Sequence, residues 1–254
     1  MAAYFDSILI GMSILAVIVF IALFYVKAGY GRFYTKSWGP TVNNRWGWVL
    51  MEAPVFFLML AFWLTSDRMT SLPHVVMLLF FELHYFQRSF VFPMLIRGKG
   101  AMPLSVILMG LIFNSLNALM QGGWLFVVSP EHYYEGGWLT TPQFILGALV
   151  FAAGMGINLH SDYIIRHLRQ PGDTCHYLPQ KGMFRYVTSA NYFGEFLEWV
   201  GFAILTWSWA GAVFALWTFA NLAPRADAIR KSYMQQFPEG FEGKHIKRMI
   251  PFIY

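Results

Sequence analysis

GMGINLHSDYIIRHLRQPGDTCHYLPQKGMFRYVTSANYFGEFLEW, residues 154–199, ends one apolar segment and begins another. Between the two lie Asn158, His160, Asp162, Arg166, Arg169, Arg185, Asn191, Glu195 and Glu198. Ionisable side chains at the ends of membrane helices are costly unless they face a polar cavity or a ligand. So dense a set predicts a site for a large, charged, polar ligand, with the rest of the chain building its walls.

Composition sets the class. Of the 254 residues, 57% are hydrophobic and only 12% charged, and the mean hydropathy is +0.48. Soluble domains carry about 25% charged residues, so the chain reads as an all-α polytopic membrane protein, one membrane-embedded domain over 1–254. The net charge of +5 fits the setting of topology, and no stretch joins basic residues to a soluble nucleic-acid fold, which excludes nucleic acid as a partner. The single cysteine, Cys175, excludes an intramolecular disulfide and a cysteine-based metal site. The first apolar run, Ile8 to Val26, has the length of a membrane span. It lacks a basic region before it and a small-residue cleavage site after it, and is expected to be a retained helix rather than a signal peptide.

Apolar runs and their flanks predict seven membrane helices near 7–27, 46–65, 73–96, 103–128, 142–167, 191–207 and 211–223. A tight turn is expected at Ser208-Trp209-Ala210, and the last helix has room to continue as an amphipathic tail to about 236. Basic residues concentrate in 27–45, 97–100, 168–190 and the tail after 223, alternating with loops that are almost free of them. That alternation predicts an N-terminus outside and a C-terminus in the cytosol, with the polar loop 168–190 cytosolic. There is no internal repeat of the kind many transporters show.

Several polar groups stand out within the apolar runs. Glu52 lies deep in the second predicted helix, where a carboxyl costs several kcal/mol, order of magnitude. It reads either as a structural hydrogen-bonding group or as an acid that donates to a substrate carbonyl. Tyr85 reads as packing with one hydrogen bond, or as a second O–H donor meeting Glu52 at one carbonyl oxygen, the logic of an oxyanion hole. Arg88 follows Tyr85 on the same helix face. Gly154-Met155-Gly156 lacks the third glycine and the preceding strand of a dinucleotide fingerprint, so close helix packing is expected there and no Rossmann fold. A dinucleotide would then be held by side chains, and Arg97, Arg166, Arg169, Arg185 and Arg225 are suited to phosphate oxygens, the alternative being topology anchors. Asp162 and Arg166 allow an intrahelical salt bridge, and Glu195 and Glu198 repel unless something neutralises them. The two acids have no His in EXXH spacing, and no metal is expected.

The strings LHYFQRSFVFPMLIRGKG at 83–100, GMGINLHSDYIIRHLRQPGD at 154–173 and SANYFGEFLEWVGFA at 189–203 resemble the steroid 5-alpha-reductase family, as do Gly29-Tyr30-Gly31 and the ending Ile250-Pro251-Phe252-Ile253-Tyr254. The resemblance spans essentially the whole chain. It implies NADPH-dependent reduction of the carbon-4 to carbon-5 double bond of a 3-oxo-delta-4 steroid. Glu52 and Tyr85 match the family's grip on the 3-keto oxygen. Asn158, Asp162, Arg169, Asn191, Glu195, Arg225 and Tyr233 match its cofactor-contacting positions, with Arg88, Arg97 and Arg166 on the same polar wall and Tyr30 and Arg32 in the first cytosolic loop. Two places depart from the pattern: His176-Tyr177 stands where a Tyr-Arg pair is usual, and Asp227-Ala228-Ile229-Arg230 where a His-rich run is.

The implied enzyme is a monomer in the cytoplasmic membrane of a bacterium or the endoplasmic reticulum of a eukaryote. Its steroid enters from the lipid bilayer into a chamber of the first four helices, and NADPH sits among the last three and the cytosolic loops. Rival readings are a polytopic reductase of enoyl thioesters or polyprenyl chains, a small-molecule carrier, and a membrane methyltransferase.

Overall fold

Among the residues that the computed structural model describes, 2–27, 29–97, 100–168, 175 and 177–254, helices dominate. They are α1 (Ala2–Tyr25), α2 (Asn44–Leu64), α3 (Leu72–Phe86), α4 (Phe92–Leu95), α5 (Leu104–Gly123), α6 (Pro142–His167), α7 (Ala190–Thr206) and α8 (Trp209–Gln236). Arg169 and His176 lie outside the described residues. Among the described residues, five segments are long and apolar enough to cross a membrane: Tyr4–Tyr25, Asn44–Leu64, Leu72–Leu95, Leu104–Val128 and Pro142–His167. α7 is shorter, at 17 residues, and the second half of α8 carries Arg225, Asp227, Arg230 and Lys231.

Among the described residues, three α-helix starts carry side-chain caps. Asn43 accepts from the Arg45 N–H at 2.9 Å at the head of α2, and Thr141 from the Phe144 N–H at 3.3 Å at the head of α6, followed by Pro142. Such caps satisfy backbone donors that the first turn leaves open. The last turn of sequence differs from expectation. The reversal falls at Trp207-Ser208, not 208–210, and α8 begins at Trp209. Trp207 adopts a left-handed conformation (φ 44). Ser208 then caps α8 by accepting from the Gly211 N–H at 3.0 Å. α8 also runs unbroken through Pro224 to Gln236, so the apolar run and its amphipathic tail are one helix.

The third span is not a plain α-helix. Residues Gln87–Val91 form a π-turn joining α3 to α4, with the Phe92 N–H reaching back to the Gln87 carbonyl. Pro93 has no N–H to give to the carbonyl four residues before it, and its ring crowds that turn. The widened turn absorbs this, and such bulges recur at functional sites. A short ribbon pairs β1 (Thr41–Asn43) with β2 (Ala101–Pro103) antiparallel and ties the start of α2 to the start of α5.

The closest helix pair is α6 against α7. Gly147 and Gly154 on α6 face Gly201 and Gly194 on α7. A Cβ on Gly154 would stand 2.7 Å from the Gly194 carbonyl oxygen, and one on Gly201 would stand 2.7 Å from that of Gly147. Only hydrogen side chains allow backbones this close, as in small-residue membrane interfaces. The expected role of Gly154 in close packing holds, whereas Gly156 has open space around its Cα.

Around this pair the main core gathers Phe5, Met12, Met59, Phe81, Tyr85, Trp199, Phe202 and Phe214 from α1, α2, α3, α7 and α8. Trp217 Nε1 donates to the Met12 carbonyl at 2.8 Å, pinning α1 to α8. At one end, Tyr134 and Trp138 donate to the Thr206 and Leu205 carbonyls at 2.7 and 3.0 Å. Arg68 bonds the Leu125 carbonyl at 2.8 Å and both oxygens of Ser129. These bonds fasten the 129–141 loop across the helix ends.

Candidate active site

Two asparagines of α5 organise the buried acid and phenol. Asn114 Nδ2 donates to Glu52 Oε2 at 3.0 Å and to the Met51 carbonyl at 2.9 Å. One turn further on, Asn117 Nδ2 donates to the Tyr85 hydroxyl oxygen at 2.9 Å. Residues three apart on a helix sit about 5–6 Å apart at Cβ, so the ladder sets Glu52 and Tyr85 about one turn apart along the same face of α5. Because Tyr85 accepts from Asn117, its own proton is left for another acceptor, which is the arrangement a carbonyl-binding phenol needs.

Behind Tyr85, the preceding residue His84 meets Glu198 of α7, Nδ1 to Oε2, at 2.7 Å, and packs edge-on to Trp199 with ring centroids 4.6 Å apart. Glu198 therefore has His84 as its hydrogen-bond partner. Glu195, one turn away, turns instead to Arg88. The expected repulsion between the two acids is thus resolved by two different partners.

Arg88 is the hub of the polar wall. Its guanidinium lies over the Trp48 and Phe92 rings, 4.5 and 4.6 Å from their centroids. Its Nη1 is 3.9 Å from Asp162 Oδ2 and its Nη2 3.6 Å from Glu195 Oε2. Asp162 Oδ1 accepts from Asn191 Nδ2 at 3.3 Å, and Asn158 Nδ2 donates to the Asn191 carbonyl at 2.9 Å. Asp162 accordingly pairs across helices, and the intrahelical bridge to Arg166 does not form among the described residues. Asp162 Oδ2, Ser161 Oγ and Ser189 Oγ are buried with no hydrogen-bond partner.

The remaining candidates arrange themselves around this hub. Tyr30 packs edge-on to Trp48, centroids 6.2 Å apart. Its other neighbour is Arg225, whose guanidinium lies 3.9 Å from the Tyr30 ring centroid. Arg225 donates to the Tyr30 carbonyl at 3.1 Å and to the Tyr192 hydroxyl at 2.8 Å. Arg32 forms a second cluster further along α8, bonded to Ser232 and Gln236 at 3.2 and 2.6 Å and lying 4.2 Å over the Tyr233 ring. Arg97 Nη1 donates to the Arg166 carbonyl at 3.2 Å, closing the end of α6.

Glu52, Tyr85, Arg88, Asn158, Asp162, Asn191 and Glu195 thus stand in one connected region, with Tyr30 and Arg225 beside it and Arg97 and Arg166 at its rim. Arg32 and Tyr233 are together but apart from the hub. Arg169 cannot be placed, as it lies outside the described residues. Sequence reasoning missed the supporting roles of Asn114, Asn117, Trp48, His84 and Tyr192. The three-residue spacing of the asparagines in an otherwise apolar helix was the one available signal. Among the described residues, no group of three His, Cys, Asp or Glu side chains is placed to hold a metal ion.

The departure at Asp227-Ala228-Ile229-Arg230 has a structural use. Asp227 takes Lys231 at 2.7 Å and Arg248 at 2.5 Å, and Arg230 donates to the Ile246 carbonyl at 2.9 Å. Burial pushes the Asp227 carboxyl up, but the two cationic hydrogen bonds outweigh it and hold it below the usual carboxylate range. The C-terminal segment is thereby docked on α8. It also extends the chain before α7 through Lys247 N–H to the Tyr186 carbonyl at 2.8 Å.

A family described as 3-oxo-5-alpha-steroid 4-dehydrogenase matches residues 100–254. The chain is 40% identical over 227 residues to 3-oxo-5-alpha-steroid 4-dehydrogenase 1 of Macaca fascicularis, covering 89% of this chain and 84% of that one. It is 38% identical to the protein of the same name in Mus musculus, covering 98% and 96%. Steroid 5-alpha-reductase DET2 of Gossypium hirsutum is 35% identical, covering 98% and 97%.

Proposed function

This chain belongs to the 3-oxo-5-alpha-steroid 4-dehydrogenase family, and on that premise we propose how it works. It is an oxidoreductase that reduces the delta-4 double bond of a 3-oxo-delta-4 steroid. In the proposed reading NADPH is the reductant. The chain crosses the membrane seven times, with α7 and α8 as the last two spans, the N-terminus outside and the polar wall at the cytosolic face. The steroid enters from the bilayer.

The residues present suit a nucleotide. The buried Ser161 Oγ and Ser189 Oγ have no hydrogen-bond partner, and Asp162 Oδ2 has the 3.9 Å contact with Arg88 but no hydrogen bond; such atoms call for a polar ligand, since they are costly when left unmatched. Asn158, Asp162, Asn191, Glu195 and Arg88 would face its nicotinamide half. Arg97, Arg166, Arg169, Tyr30, Arg32, Arg225 and Tyr233 would serve its phosphates and adenosine end. When bound, NADPH would supply the hydride that adds to carbon 5, the alkene carbon beta to the ketone, and a proton at carbon 4 would complete the reduction. Glu52 and Tyr85 grip the 3-keto oxygen and stabilise the charge that grows there, as oxyanion-hole donors do. Asn114 and Asn117 fix the two donors in place. The apolar helices around them exclude water, which strengthens both interactions.

The observation that supports this most is the pairing of Glu52 and Tyr85 with successive asparagines of α5, next to the Arg88 wall. The test is NADPH oxidation by the purified protein with progesterone. Glu52→Gln and Tyr85→Phe should each lose most turnover while NADPH still binds. Full activity in either variant removes that residue from the mechanism, and no progesterone-dependent NADPH oxidation by the parent protein rejects the reading.

A further inference from the structure

α3 carries a buried carboxyl that the mechanism above does not use. Leu78, Glu82 and Tyr85 follow one another at spacings of four and three, so they share one helix face. All three are buried, Glu82 to 7% exposure, while Leu79, Leu83 and Phe86 on the adjoining flank are exposed. Glu82 therefore stands at the edge of the buried face that holds Tyr85. Both of its carboxyl oxygens are buried without a hydrogen-bond partner. His84, Arg88 and Asn117, the polar groups nearest in sequence or on the facing helix, are engaged elsewhere. Gln121, the next polar residue along α5, is taken by the Ala210 carbonyl at 2.9 Å.

A polar group buried in apolar surroundings without a partner is costly, as unmatched amides and hydroxyls are. A substrate hydroxyl arriving at that point removes the cost. Its place follows from the helix. Arg88, Tyr85 and Glu82 run along α3 in that order, away from the polar wall. Glu82 stands one turn, about 5–6 Å at Cβ, beyond the phenol. For a steroid lying along α3 with the 3-keto group of ring A at Tyr85, a point one turn further is beside the middle of the rigid four-ring skeleton, short of ring D at its far end.

We propose that Glu82 is a specificity-determining residue that hydrogen-bonds a hydroxyl on ring B or ring C, so that the preferred substrates are 3-oxo-delta-4 steroids hydroxylated in mid-skeleton. The inference rests on the proposed steroid reduction. A site built to bond a hydroxyl discriminates strongly against an analogue lacking it, because its own polar atoms are left unpaired. The contact lies away from the reacting carbons, so the preference belongs in KM rather than kcat.

The test is steady-state reduction of progesterone, 7-hydroxyprogesterone and 11-hydroxyprogesterone by the parent protein and by Glu82→Leu and Glu82→Gln. The parent should favour one of the hydroxylated steroids by about tenfold or more in kcat/KM, through KM. Glu82→Leu should still reduce progesterone and lose that preference, and Glu82→Gln, which keeps a donor and an acceptor, should retain most of it. A parent that treats all three steroids alike overturns the proposal even if Glu82→Leu fails to fold, as does an unchanged ratio in a folded Glu82→Leu. Progesterone turnover without any hydroxyl preference rejects the role of Glu82 alone. Absence of turnover with all three rejects the steroid-reductase reading together with it.

Discussion

Replacing Arg88 by Met tests the central feature of the polar wall. The methionine keeps much of the stem that packs on Trp48 and Phe92 but removes the charge lying 3.9 Å from Asp162 and 3.6 Å from Glu195. Both acids are largely buried, with side-chain exposures of 6% and 17%. Breaking a buried ion pair by deleting one partner costs about 3–5 kcal/mol, because the other charge is left uncompensated. In a chain of this size each kcal/mol moves the midpoint of thermal unfolding by about 2–4 °C, so Arg88→Met should unfold on the order of 10 °C below the parent. If stranded acids cause the loss, removing one should recover part of it. Glu195→Gln in the Arg88→Met background should therefore be more stable than Arg88→Met alone, whereas in the parent background Glu195→Gln should be slightly destabilising. That sign reversal is the signature of coupling in a double-mutant cycle. Thermal unfolding of the four proteins in one detergent gives all the terms. A midpoint for Arg88→Met within about 2 °C of the parent, or no recovery on adding Glu195→Gln, refutes the reasoning.

Asn117→Leu should leave the fold intact and lower steroid turnover roughly two- to tenfold, the worth of one ordinary hydrogen bond to the Tyr85 hydroxyl; unchanged turnover would mean that Tyr85 is positioned by packing alone. Gly154→Ala should destabilise by about 1–3 kcal/mol through overpacking against α7, while Gly156→Ala, facing open space, should be neutral or mildly stabilising; equal effects in thermal unfolding would contradict the glycine contact. Asp227→Asn should lower stability at pH 7 by about 1–2 kcal/mol. Because the Asp227 carboxyl is held below its ordinary range, its contribution is fully present above about pH 4 and fades as acid protonates it, so unfolding midpoints of the variant and the parent should converge at lower pH.

The spans were legible because apolar length is a local property. Predicted bounds for the second to sixth helices fall within two residues of those observed. The turn between α7 and α8 was misplaced because nothing in the sequence announces a left-handed Trp207. Glycine is the usual signal there, and the Ser208 cap that fixes the turn looks like any loop serine. The π-turn at Gln87–Val91 was invisible for a related reason: Pro93 warns of a disturbed turn, but whether the helix kinks or widens depends on what packs around it. Glu52, Tyr85 and Arg88 stood out as polar residues in apolar sequence. Their partners Asn114 and Asn117 did not, since their meaning depends on which helix faces them. Asp162 shows the limit most sharply. Its sequence neighbour Arg166 suggested a local bridge, and the fold instead delivers Arg88 from another helix.

What delivers these partners is backbone proximity between α6 and α7. Gly147 opposite Gly201 and Gly154 opposite Gly194 fix a single antiparallel register for the two helices, with contacts repeating every seven residues. Carrying that register one further turn along α6 and one turn back along α7 brings Asn158 to the start of α7, where its side chain donates to the Asn191 carbonyl at 2.9 Å. Asp162, one turn on, then meets the Asn191 amide and the guanidinium of Arg88. The polar wall is therefore an extension of an apolar glycine seam, and its geometry is set by residues that make no polar contact. A larger side chain at Gly154 or Gly194 would force the two backbones apart by the width of a methyl group or more, and the Asn158 to Asn191 bond lies immediately beyond the separation. Loss of stability at the seam should thus bring loss of the polar alignment with it, which is why the glycines carry as much of the site as the charged residues they leave exposed to view in the sequence.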